Sequence, residues 1–172
     1  MKRIPGFLVL LAAAWSVMAV THELGHVIAG WLGGGTLQSV DLCPWHLPYS
    51  LFDPDPHPLM TLWSGPLFGV FLPLAIAGLI RHRWTWLIAH FCMLANGLYL
   101  GVALFEPYPF LDTTKLLEHG ASPASVALFG LMTTGYGYIG FRRSCIDWFL
   151  KGNSPVNVLT SEETVACQSP QQ

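Results

Sequence analysis

The residues His22-Glu23-Leu24-Gly25-His26 hold the densest chemistry in this sequence. On a helix, positions four apart share a face, so both imidazoles project together and can grip one metal ion. Glu23 stands beside them, where a carboxylate can take the proton of an attacking water and later pass it to a leaving amine. A zinc ion held there would lower the pKa of its water towards about 7 and polarise a scissile carbonyl. The spacing therefore predicts Zn2+ on His22 and His26 with Glu23 as catalytic base.

Two histidines do not complete a catalytic zinc site, which takes three protein ligands and a water. Candidates for the third are Asp41, His46, Asp53, Asp55, His57, Glu106, Asp112, Glu118 and His119. Asp112 is the choice: Pro107 and Pro109 fix the backbone ahead of it, and it follows an apolar run that can return to the first helix. The alternative for Asp112 is a capping role at the start of a short helix. The run Asp53-Pro54-Asp55-Pro56-His57 reads as an exposed turn, and His90 as a core histidine bonded to a neighbouring helix.

Elements must carry these residues, and the composition says in what solvent. Of 172 residues, 52% are hydrophobic and only 10% charged, against about 25% charged in an average soluble domain. Four runs approach the roughly 20 apolar residues of a membrane span: Pro5–Leu32, Leu59–Ile80, Trp84–Phe105 and Ala121–Phe141. The fold class expected is an all-α membrane protein of about four transmembrane helices, with a proline-broken segment before the fourth. The first run continues past His22 to Leu32, as an uncleaved span does, although Lys2-Arg3 and Phe7–Val17 also resemble the start of a signal peptide. Residues 1–150 read as one polytopic domain and 151–172 as a flexible polar tail.

Lys2, Arg3, Arg81, Arg83, Arg142, Arg143 and Lys151 fall on one side of this topology and Lys115 on the other, which places both termini in the cytoplasm. Eight basic residues nearly balance ten acidic ones, so no basic field exists to hold nucleic acid. The partners expected are the lipid bilayer and a membrane protein or peptide substrate. Cys43 is the one cysteine on the outer side and no CxxC pair occurs, which argues against a disulfide framework or a thiolate zinc ribbon. Between the first two runs, five prolines exclude a long helix, Leu37–Leu42 alternates as a short strand would, and Trp45, Tyr49 and Phe52 suit a membrane interface.

In order and spacing over about residues 15–120, the chain resembles the site-2 protease family of intramembrane zinc metalloproteases. His22-Glu23-Leu24-Gly25-His26 matches that family's His-Glu-x-x-His, Ser64-Gly65-Pro66-Leu67-Phe68-Gly69 its Gly-Pro motif, and Pro109-Phe110-Leu111-Asp112 its Leu-Asp motif. The resemblance implies that His22, His26 and Asp112 bind zinc, that Glu23 is the base, and that the protein is an endopeptidase cutting membrane-associated substrates. Three positions depart from the pattern: Gly69 and Leu104 stand where the family often has Asn, and Thr113 where it usually has Gly. A catalytically silent zinc-binding membrane scaffold or chaperone is the rival reading, and a metal transporter ranks behind it because polar residues are scarce in the second and fourth runs.

Overall fold

A computed structural model of the chain describes residues 3–105 and 108–150. The expected tail at 151–172, together with Lys2, Glu106, Pro107, Lys151 and Cys167, lies outside the described residues. The elements in order are α1 (Arg3–Leu32), β1 (Leu37–Asp41), β2 (Tyr49–Phe52), α2 (Pro58–Ile80), α3 (Arg83–Val102), α4 (Asp112–Glu118) and α5 (Pro123–Leu150).

Local chemistry explains most boundaries. α1 ends where Gly34 takes φ 78, a left-handed conformation that suits glycine and closes the helix through Gly33 N–H to Ala29 O and Gly35 N–H to Gly30 O, each 2.8 Å. α2 opens on Pro58, whose missing N–H is no loss in a first turn. At the tight corner between α2 and α3, His82 caps α3 by accepting from Trp84 N–H at 3.3 Å.

Helices α1, α2 and α3 are long and apolar enough to cross a membrane, with mean hydropathies of 2.0, 1.8 and 1.4 over their best windows. Only 17%, 39% and 33% of those windows are buried inside the protein, so most of their apolar side chains face outward. Leu8, Val9, Phe71 and Leu79 are all more than half exposed, an arrangement that water penalises and lipid accepts. The run expected as a fourth span forms the 28-residue helix α5, which is long enough but is not among the helices apolar enough to cross a membrane. Its Thr133-Thr134-Gly135-Tyr136-Gly137-Tyr138 stretch and the Arg142-Arg143 pair keep it below the apolarity of the other three. The helix also continues nine residues past Phe141, because nothing from Arg142 to Leu150 breaks it and Trp148 and Phe149 pack against Phe7.

The all-α expectation is corrected at one place. β1 and β2 form an antiparallel hairpin, pairing Ser39 with Leu51, Val40 with Ser50 and Asp41 with Tyr49, with an irregularity between Leu37 and Ser39. The prolines that forbid a helix leave this stretch free to pair with itself. Phe52 anchors the hairpin by lying against the backbone of Gly30 and Gly35, where any Cβ would collide with its ring. α1 packs mainly on α2, and α3 mainly on α5. Leu100, Leu116 and Val126 make the apolar centre that joins α3, α4 and α5.

Candidate metal centre

His22, Glu23 and His26 lie in the second half of α1, where α2, α3 and the hairpin surround it, and they are 6%, 6% and 5% exposed. Two of these contacts are too close for any side chain but hydrogen. A Cβ on Gly25 would strike the Ser64 carbonyl, and one on Gly65 would strike the His26 imidazole. Ser64 completes the crossing by donating its hydroxyl to Gly25 O at 2.8 Å. Gly65 thus leaves the room that the His26 imidazole fills, and α1 and α2 meet closely at Gly25 and Ser64.

Asp112 arrives from α4, 90 residues after His22 and 86 after His26. It opens α4 but does not cap it, since the capping position is Leu111 and no side chain bonds there. Its Oδ2 lies 2.8 Å from His22 Nε2 and 3.3 Å from His26 Nε2. Thr113, buried, donates to Leu100 O at 3.2 Å and ties the first turn of α4 to α3. Asp112 N–H faces Tyr99 Oη at 3.4 Å, and the Tyr99 ring stands edge-on to His22 with centroids 5.7 Å apart.

The second nitrogen of each imidazole is engaged as well. Asn96, fully buried on α3, donates its amide Nδ2 to Cys92 O at 2.8 Å. That bond fixes which way the amide points, so the atom facing His22 Nδ1 at 2.7 Å is the acceptor Oδ1. His26 Nδ1 meets another pure acceptor, the Thr61 carbonyl, at 2.8 Å. Both rings therefore carry a proton on Nδ1, and each turns its Nε2 toward the same Asp112 oxygen. With Nε2 unprotonated, these three atoms would repel one another unless a cation sat among them.

The ligand atoms of His22, Glu23 and His26 lie within 4.8 Å of one another, so this buried group could hold a metal ion. Glu23 takes a different position from Asp112. Its Oε2 accepts from Ser50 Oγ on β2 at 3.0 Å, so the hairpin holds the carboxylate from outside while Asp112 closes the cluster from the α4 side. Two cavities, of about 490 and 610 Å³, both reach Glu23 and Tyr99 beneath Leu47 and Pro48 of the hairpin turn.

Of the residues singled out from sequence, the structure brings His22, Glu23, His26 and Asp112 together. Asp53 and His57 stay on the exposed connection, and Asp55 caps that turn by accepting from His57 N–H at 3.1 Å. His90 faces Ser144 of α5 at 3.4 Å, as a core histidine would. The sequence does not mark Thr61, Ser50 or Tyr99 for the site, while Asn96 lies about two helical turns before Leu104, where the resemblance leads one to expect an Asn. Asn96 did carry a signal, as an amide in the middle of an apolar helix. It also accounts for Gly69: a Cβ there would come within 2.7 Å of the Asn96 amide, so an amide enters this space from α3 and none can enter from α2. Leu104 packs on the Leu100–Leu116–Val126 centre, away from the cluster.

Compared with protein-family models, curated proteins and solved structures, the chain matches none.

Proposed function

We propose that this protein is a zinc-dependent intramembrane endopeptidase, similar to the site-2 proteases, with His22, His26 and Asp112 as ligands and Glu23 as catalytic base. The observation that carries this reading is the convergence of two Nε2 atoms and one carboxylate oxygen, with each Nδ1–H engaged by a partner that only accepts. Nitrogen, nitrogen and oxygen make the donor set of a catalytic zinc, and one coordination position remains for solvent or substrate. Ligands around a tetrahedral zinc stand about 3.3–3.8 Å apart, so the separations of 2.8 and 3.3 Å need open only by a fraction of an ångström.

Bound there, zinc would polarise the scissile carbonyl and acidify its water. The chain supplies the rest. Glu23 receives the water's proton and returns it to the departing amine, and its tie to Ser50 keeps the carboxylate beside the cavity during both transfers. Tyr99 and the hairpin turn wall off the space over the reacting bond.

The positive charges favour a particular orientation. Phe7, Trp84 and Trp148 meet at one end of the bundle, which brings Arg81, Arg83, Arg142 and Arg143 to the same end, while Lys115 lies beside the Asp112 cavity at the other. We place the arginine end in the cytoplasm and the metal cluster toward the opposite face.

The decisive test joins a zinc assay to Glu23→Gln against a panel of single-span membrane substrates. One zinc per chain should depend on His22 and His26, and Glu23→Gln should keep it while cleavage falls roughly 10²–10⁴-fold. Zinc content unaffected by His22→Ala with His26→Ala would sink the site. If wild type holds that zinc and cuts no substrate, the rival reading of a silent scaffold or chaperone takes its place.

A further inference from the structure

The turn that joins β1 to β2 carries a second group of metal-ligating side chains, Asp41, Cys43 and His46, whose ligand atoms lie within 4.8 Å of one another. These residues share no ligand atom with the α1 cluster. His46 Nδ1 stands 3.1 Å from Asp41 Oδ2, and the other carboxylate oxygen, Oδ1, accepts from Cys43 N–H at 2.8 Å. The backbone bond therefore holds the carboxylate so that its free side faces the imidazole, as outer hydrogen bonds do for metal-binding carboxylates. Cys43 is half-buried and its thiol is free.

We infer that Asp41, Cys43 and His46 form a second site for a zinc-class divalent ion, held by one thiolate, one imidazole and one carboxylate, with its fourth position open to solvent. Sulfur and nitrogen donors select borderline ions such as zinc over magnesium or calcium, which prefer all-oxygen sets. Binding requires the Cys43 thiol to release its proton to water. Because His46 is largely exposed, the ion exchanges with solvent and is not permanently enclosed.

Location gives the site its consequence. His46 lines the 610 Å³ cavity that reaches His22 and Glu23, alongside Pro44, Trp45 and Leu47 of the same turn. A hydrogen bond from Trp15 Nε1–H to Pro44 O at 2.8 Å ties the turn to α1. An ion joining Asp41, at the end of β1, to His46, four residues short of Ser50, would fasten this roof in place.

The full chain, purified in detergent and stripped of metal, is titrated with Co2+. Wild type should take two equivalents and show a near-ultraviolet thiolate-to-cobalt band. The band should persist in His22→Ala with His26→Ala and vanish in Cys43→Ser. No thiolate band in wild type, or a band that survives Cys43→Ser, overturns the inference and leaves the α1 site untouched. In unmutated protein, zinc should slow alkylation of Cys43 on the order of tenfold, because the thiolate is then engaged. Alkylation at an unchanged rate refutes it equally, without relying on any variant to fold.

Discussion

Asn96 decides more about the chemistry than its place inside an apolar helix suggests. By accepting from His22 Nδ1 at 2.7 Å it assigns the tautomer and aims Nε2 at Asp112. Partners of this kind are worth about 10–100-fold in metal affinity. Asn96→Leu fills the same volume without the acceptor, so zinc affinity measured by competition with a chelator should fall by about that factor, with α-helical content unchanged. Asp112→Ala should have a larger effect, since it removes the proposed third ligand. That variant should lose the α1 zinc altogether in a metal assay, whereas Glu118→Ala, on an exposed residue one helix turn past Lys115, should lose none.

At the scale of elements, the crossing of α1 and α2 is set by glycine. Gly25→Ala pushes a methyl into the Ser64 carbonyl and Gly65→Ala pushes one into the His26 ring, so each should destabilise the protein by roughly 1–3 kcal/mol. Gly65→Ala should also weaken zinc binding, because the group displaced is the proposed ligand His26. Gly78, on the same helix, has nothing within 4 Å of its would-be Cβ. Gly78→Ala should raise stability by up to about 1 kcal/mol through the better helix propensity of alanine. Thermal unfolding in detergent compares all three. The hairpin depends on contacts of a different kind: Trp15→Phe removes the Nε1–H that holds Pro44 O, at a cost of about 0.5–1.5 kcal/mol. Faster hydrogen exchange at residues 42–48, with α1 exchange unaltered, is the expected readout.

For the molecule as a whole, the apolar exterior and the separation of charge make a topological claim. Arg81 lies at one end of the bundle and His119, lining the Asp112 cavity, at the other. Cysteines placed at 81 and at 119 should be labelled by a membrane-impermeant reagent from opposite sides of the bilayer, with position 81 reached from the cytoplasm. Labelling of both from one side would mean that the helices lie along the membrane instead of crossing it.

The sequence by itself determined the apolar character of the chain, the first three helices and the motif. Apolar runs of span length, basic residues gathered at their ends and three ionisable groups within five helical positions are local properties, legible without knowing which helix touches which. Asp112 was legible too, because prolines constrain the backbone ahead of it. What the sequence left open is whatever depends on approach between segments far apart in the chain. That His22 needs Asn96, 74 residues on, that Gly69 is glycine because an amide from another helix occupies its side-chain space, and that a proline-rich connection folds into a hairpin whose Ser50 holds Glu23 are all consequences of packing. Helical periodicity shows which faces are apolar. Only the tertiary contacts decide which polar atom each face meets, and at this site that pairing orients the two imidazoles.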